Sequence, residues 1–390
     1  MVQPLNTGDD RRIRNTHAGA GYARRLLGED RGRLSKDLLV NVRGSIKETQ
    51  LKLQDIGEFG FIDRIAPMGT IRSKGVVKGI GDDCAVIDGG GPEYLLVTTD
   101  LLVERVHFLI HWTTPEIIGA KALAINLSDI AACGGRPVDA FISLAIPERI
   151  DVEWLDGFYR GMARPAREHE VNVLGGDTTA SRSDLIINIA LTGLVGRDEV
   201  LYRHTARAGD VIALTGPLGA SGAGCEILLK SPQLPGRVAD ALVRSHLEPR
   251  PHVKEGRLLA SSGGCTAAID VSDGLSSDLG HLCAESGVGA LIYEDRLPRT
   301  EELIEAAQAM GRDTLGWMLN GGEDYVLLAG IRRYMIEEVA AAMEAQGCAL
   351  HPIGEFVEQS GIVVRRSDGR DMSVTAAGWD HFREKKDLTT

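Results

Sequence analysis

Seven aspartates that fall where predicted strands or helices stop constrain this chain more than any other feature of its sequence. Asp82 and Asp83 follow a glycine turn in GIGDDCAVI, residues 79–87, and Asp100 closes the apolar run YLLVTTD. Asp129 lies late in TTPEIIGAKALAINLSDIAAC, Asp177 follows Gly175 and Gly176 in VNVLGGDTT, and Asp270 and Asp273 fall in IDVSDGL. Crowded carboxylates raise one another's pKa and are costly to hold together without a cation. Ligands bind where strands end in α/β sheets, so the set reads as ligands gathered around metal ions. Each motif also has an ordinary reading by itself. GDD and GGD are common turns, Asp100 can cap a turn, and Ser272 or Asp273 can cap a helix.

Along the chain, residues 1–54 carry many arginines and little apolar periodicity, and read as a mobile N-terminal extension. A domain of residues 55–200 follows, beginning with GEFGFIDRIA, where Phe59, Ile62 and Ile65 recur at helical spacing. In it YLLVTTD, DAFISLAI, VNVLGGDTT and LIINIALTGLVG read as strands. A helix from Thr114 and Pro115 to Cys133 and a surface helix DVEWLDGFYRGMARPAREH lie between them. Asp129 sits against the helix dipole and needs other stabilisation, which a cation supplies. The polar run RDEVLYRHTARAGD marks the boundary to a domain of residues 201–390. There DVIALTG, AAID, GALIYEDRLP, EDYVLLAGI and GIVVRR read as strands. The helices are GASGAGCEILLK, the segment after DVSDG, TEELIEAAQAM and YMIEEVAAAMEAQ, with a proline-rich connection from Ser231 to Pro251.

Charge and motif content narrow the function. A formal charge of -12 argues against nucleic acid as a partner, and no apolar run is long enough to span a membrane. The six cysteines form no CxxC pair and read as core residues in a reducing, cytoplasmic setting. Neither GxxxxGK[ST], nor GxGxxG after a strand, nor GxSxG, nor a kinase HRD and DFG set occurs. What remains is a set of hard oxygen ligands suited to magnesium, which bridges carboxylates to phosphate oxygens. That pattern is one of phosphoryl transfer.

In order and spacing, GEF, GIGDD, TTD, VHF, KALAINLSDIAA, GGDTT, GDVIALTG, IDVSDGL with DLGH, SGVGA, NGGEDY and GWDHF resemble the thiamine-monophosphate kinases of the aminoimidazole ribonucleotide synthetase superfamily. The resemblance runs from about Gly57 to Phe382. It implies a two-domain α/β (α+β) fold, with N-terminal sheets pairing across a homodimer and a C-terminal mixed sheet with helices. It further implies Asp83, Thr98, Thr99, Asp100, Asp129, Asp177, Asp270 and Asp273 as ligands of several Mg2+ ions, the threonines through hydroxyl or carbonyl oxygen. Gly176, Asp177, Arg203 and Ser272 would contact ATP, and His107, Glu323 and Trp379 would hold thiamine monophosphate. Two departures stand out: AACGG at residues 131–135 where the family has AAMGA, and GGDTTAS where it has GGDTTRG.

The implied reaction is transfer of the γ-phosphoryl of ATP to thiamine monophosphate, the last step of thiamine diphosphate synthesis. It needs no general base, because a phosphate monoester with a second pKa near about 6 is already anionic at neutral pH. Two alternatives remain open at this point. One is another ATP-dependent ligase or cyclase of the superfamily, and the other is a non-catalytic regulator binding a thiamine phosphate or nucleotide.

Overall fold

The computed structural model describes residues 51–375 together with Phe382. The extension assigned to residues 1–54 lies almost wholly outside the described residues, as does Trp379. The first helix, α1 (Leu53–Gly69), is kinked at Gly57. It presents Phe59 to the His281 ring, with centroids 4.2 Å apart.

Two sheets organise the rest of the described residues. The first has six strands in the order β1-β2-β3-β6-β4-β5: β1 (Val76–Lys78), β2 (Ala85–Ile87), β3 (Glu93–Val103), β4 (Arg136–Pro147), β5 (Asn172–Ser181) and β6 (Ile186–Gly196). Only the β4–β5 pair is parallel. The alternation in IINIALTGLVG gives β6 one buried face, through Ile187, Ile189, Leu191 and Val195, as a sheet covered on one side requires. β5 is an edge strand, exposed almost throughout, with Val173 and Leu174 open and Phe141 of β4 exposed beside them.

The second sheet has seven strands in the order β13-β12-β9-β11-β7-β10-β8. They are β7 (Val211–Leu214), β8 (Cys265–Asp270), β9 (Gly289–Tyr293), β10 (Leu327–Ile331), β11 (His351–Val357), β12 (Gly361–Arg365) and β13 (Asp371–Val374). It is mixed: β12 runs parallel to β9 and the other pairs are antiparallel. Both faces are covered, which explains the unbroken apolar runs of its strands. Ala213, Ala268 and Leu327 join a core shared with the first sheet, while Ile212, Leu214 and Ile269 join a second core.

Helix α2 (Pro115–Ala132) lies against β3, β6 and β8 and so links the two sheets. Thr114 is its N-cap position and Pro115 opens it, although the threonine side chain makes no capping bond. Every residue from Ile118 to Ala132 is buried except Asp129, which opens toward the site. Helix α3 (Val152–Glu168) covers α2 from outside, capped by Asp151, whose carboxylate accepts from the Trp154 N–H at 2.8 Å.

The remaining helices are α4 (Ala220–Lys230), α5 (Gly236–Leu247), α6 (Val253–Ser261), α7 (Leu275–Ser286), α8 (Glu301–Met310), α9 (Thr314–Asn320) and α10 (Ile336–Glu344). The stretch from Ser231 to Pro251, expected as a connection, contains α5. Its prolines stand outside the helix, with Pro235 at the N-cap, and Val238, Leu242 and Leu247 bury one face. Strand β11 was not expected either. Pro352 and Gly354 argue against a central strand, and the register slips between them. Strands β3 and β5 run past Asp100 and Asp177, so neither aspartate ends its strand. β3 stays paired with β6 as far as Val103 opposite Ile186. No helix among the described residues is long and apolar enough to cross a membrane.

Candidate active site

Thr98 and Asp100, two apart on β3, share the face turned to α2. The Thr98 hydroxyl donates to the Asp129 carboxylate, and the Asp100 N–H donates to the Asn126 side-chain oxygen at 3.2 Å. From β8, Asp270 accepts from the Ser128 hydroxyl of α2 at 2.6 Å. From the GDD loop, Asp83 accepts from the Arg203 guanidinium. Carboxylate oxygens of Asp83, Asp129 and Asp270 thereby converge within 4.8 Å of one another. Four separate segments deliver these charges to one place.

The cluster is short of positive charge. Burial and then Asp83 push Asp100 up to about 6 and Asp270 up to about 8. The same two causes push Asp82 up to about 7, against the opposing pull of Arg203 and Lys78. Asp129 is pushed well above the carboxylate range by burial, then by Asp100, Asp270 and Asp83. Burial disfavours the charge of Arg203, but Asp83, Asp82 and Asp270 hold it protonated. One oxygen of Asp83, Oδ2, is buried with no hydrogen-bond partner. An orphaned carboxylate oxygen facing two other carboxylates, all hard oxygen donors, fits a divalent cation such as Mg2+.

Cys133, one of two residues in AACGG that depart from the family pattern, lies beside this cluster. Its sulfur and oxygens of Asp82 and Asp83 fall within 4.8 Å of one another. Asp273 follows at the turn before α7, where its N–H donates to the buried Asp278 carboxylate at 3.2 Å. Gly274, with φ of 102°, is the N-cap of α7, so neither Ser272 nor Asp273 takes that position.

A second group of charged residues adjoins the first through the NGGEDY loop. The Glu323 N–H donates to the Ser272 carbonyl at 2.7 Å, tying this loop to DVSDG. A Cβ on Gly322, whose φ is 67°, would come within 2.7 Å of the same carbonyl, so the approach needs glycine. The Glu323 carboxylate meets Lys121 Nζ at 3.0 Å and His246 Nδ1 at 3.1 Å. Burial would raise its pKa, but Lys121, His246 and His107 bring it below the usual glutamate value. His107 accepts from the Val103 N–H at 3.0 Å and lines a small, mostly apolar pocket with Leu102, Phe108, Thr113, Ile117 and Lys121.

Three expected residues stand elsewhere. Thr99 has its side chain on the opposite face of β3 from Thr98, where its hydroxyl accepts from Asn188 at 2.8 Å. Gly176 is in register with Asp100 but three strands away, through Ile189 of β6 and Ile142 of β4, so it and Asp177 lie roughly 14 Å from β3. A Cβ on Gly176 would sit 1.6 Å from the Ile142 carbonyl oxygen, which leaves no room for a side chain. Sequence reasoning also missed Lys121, His246 and Asp278. The signal for Lys121 was present, as one lysine inside the apolar run IIGAKALAINL.

Both halves of the chain match known domain families. The AIR synthase related protein N-terminal domain matches residues 81–195, and the corresponding C-terminal domain matches residues 207–367. The thiamine-monophosphate kinase of Bacillus subtilis is 33% identical over 329 residues, 84% of this chain and 99% of that protein. The Escherichia coli K12 enzyme of the same name is 34% identical over 330 residues, 84% of this chain and 98% of that one. A solved structure described as AaThiL complexed with AMPPCP and TMP superposes with a TM-score of 0.74 at 34% identity, covering 85% of this chain and 99% of that one. The thiamine monophosphate kinase of Aquifex aeolicus gives 0.69 at 32% identity, covering 83% of this chain and 99% of that one. Similarity to HypE in its complex with HypF, at 20% identity and a TM-score of 0.62 over 80% of this chain and 98% of that one, shows the fold alone. With both domain families matched and these kinases covered nearly end to end, the chain belongs to the thiamine-monophosphate kinase family of AIR synthase related proteins.

Proposed function

We infer that this protein transfers the γ-phosphoryl group of ATP to the phosphate of thiamine monophosphate, giving thiamine diphosphate and ADP. The observation that carries the reading is the convergence of Asp83, Asp129 and Asp270 beside Arg203, one loop away from Glu323 and His107. Asp83, Thr98, Asp100, Asp129, Asp270 and Asp273 would hold Mg2+, which when bound neutralises the charge of the transferring phosphoryl group. Arg203 contributes a fixed positive charge to the phosphates, and Ser272 stands near the N-terminal amides of α7, which favour anions. Glu323 offers a carboxylate to the cationic thiazolium ring, with His107 and the apolar wall beside it. Trp379, outside the described residues, would add an aromatic face. No side chain need act as general base, since the acceptor phosphate is already anionic.

A superfamily ligase or a silent binding protein would give a different result in one assay. ADP release by the magnesium-loaded protein is expected to depend on thiamine monophosphate, with free thiamine unable to replace it. ADP release unaffected by thiamine monophosphate would contradict the reading.

The distance of Asp177 from the cluster supports a homodimer. β5 is an open edge with apolar side chains, of the kind that is usually covered by another chain. If two first sheets pair there, Gly176 and Asp177 of each protomer serve the nucleotide site of the other. Mixing Asp129→Asn and Asp177→Asn proteins under subunit exchange is then expected to regain about a quarter of wild-type activity, because half the dimers are mixed and each has one intact site. With both residues acting in one protomer, every site in the mixture is damaged and no activity returns.

A further inference from the structure

We propose that Lys121 is a positioning residue for the acceptor, holding the Glu323 carboxylate from beneath so that it receives the cationic ring of the substrate. The proposal rests on the reading of the reaction given above. Lys121 is 4% exposed, in the middle of α2, where an unpaired ammonium would be expensive to bury. Its Nζ makes two contacts, each at 3.0 Å: one to Glu323 Oε2, 202 residues further along the chain, and one to the His246 carbonyl oxygen. The second contact fixes the ammonium against α5, so the first fixes the carboxylate.

Glu323 needs such a hold. Its φ of 56° is left-handed, which a residue other than glycine adopts at a cost and keeps only where surrounding contacts over-determine it. The backbone bonds of Glu323 and Tyr325 to Ser272 and Val271 supply part of that support, and Lys121 with His246 supplies the side-chain part. Both side-chain contacts fall on Oε2, which leaves Oε1 for the acceptor. Lys121 also forms part of the wall of the apolar pocket that contains His107. One lysine thus touches both the carboxylate and the surface on which the acceptor would lie.

Among the described residues, the titratable groups facing Glu323 are Lys121 from α2, His246 from α5, His107 from the segment after β3, and Asp324 and Tyr325 on its own loop. His246 is lowered to about 4 by burial and then by Lys121, so it is neutral at assay pH. Asp324, raised to about 7 by burial, accepts from the N–H groups of Gly219 and Ser221 at 2.7 and 3.1 Å and is turned to α4. Lys121, in contact at 3.0 Å, is therefore the main counter-charge of Glu323, ahead of His107. Without it, burial dominates and Glu323 takes up a proton more readily.

The test is steady-state kinetics of Lys121→Met and Lys121→Gln beside wild type, with thiamine monophosphate and ATP varied separately. The expected result is a KM for thiamine monophosphate raised about tenfold or more, with the KM for ATP within about twofold. The ratio of variant to wild-type KM for thiamine monophosphate is expected to fall as pH rises, because the carboxylate regains its charge; Glu323→Gln shows no such slope. Taking the ratio removes the titration of the substrate phosphate itself. A ratio near one at every pH, or an equal rise in both KM values, overturns the positioning role. Should the methionine variant fail to fold, the glutamine variant decides by the same ratio. Wild-type protein that forms no thiamine diphosphate overturns the reaction itself, and this proposal with it.

Discussion

Asp129→Asn is expected to leave the fold intact and to lower kcat by about 10³-fold, the scale on which removal of one charge-stabilising group acts in a preorganised site. Asp129 is the one residue between Ile118 and Ala132 that is not fully buried, and the surrounding helix gives it no structural task beyond the bond from Thr98. Asparagine keeps an oxygen to accept that bond. It removes a charge that Asp100, Asp270 and Asp83 all oppose, so metal-free Asp129→Asn should melt at or above the wild-type temperature at pH 8. Loss of activity together with undiminished stability is what separates a ligand from a packing residue. Turnover near the wild-type rate would contradict the metal role of the cluster.

In the absence of metal, the protein is expected to lose stability as pH rises from about 6.5 to about 8, and magnesium is expected to restore it; below about 6.5 the buried His246, His252 and His281, each lowered to about 4 by burial, offset the carboxylates. The sign follows from the direction of the shifts. Asp100, Asp82 and Asp270, raised to about 6, 7 and 8 from 3.8, bind protons more tightly folded than unfolded. Their contribution is fully present below the unfolded value and is lost as pH passes the folded values. Between pH 6.5 and 8 the melting temperature in chelator should drop by about 4 °C. Magnesium should reverse the drop and release protons as it binds, since it competes for the same oxygens. A melting temperature in chelator that stays flat over this range would show that the carboxylates do not carry the opposed charge described here.

Much of this was legible from residue types. Pro115 and an apolar run gave α2, alternation gave β6, and aspartates too numerous for ordinary turns marked Asp83, Asp129 and Asp270. Other parts were not legible, for separate physical reasons. Helix α5 was hidden by prolines that bracket it, and β11 by Pro352 and Gly354, which the sheet tolerates by slipping register. Adjacent threonines in TTD look equivalent in sequence, but strand parity puts Thr98 at the cluster and Thr99 on the other face. The pairing of Lys121 with Glu323 spans 202 residues and becomes visible only when α2 and the NGGEDY loop meet. Asp177 shows the opposite limit: its motif is plain in the sequence, while its distance from Asp100 depends on strand order.

The measurement that tests the central claim most directly is product analysis. Purified protein is incubated with Mg-ATP and thiamine monophosphate, and the thiamine phosphates and nucleotides are separated by chromatography. The account predicts thiamine diphosphate and ADP in equal amounts, with no free phosphate in excess of controls. Consumption of ATP without thiamine diphosphate, or no reaction by folded, magnesium-loaded protein, would contradict it.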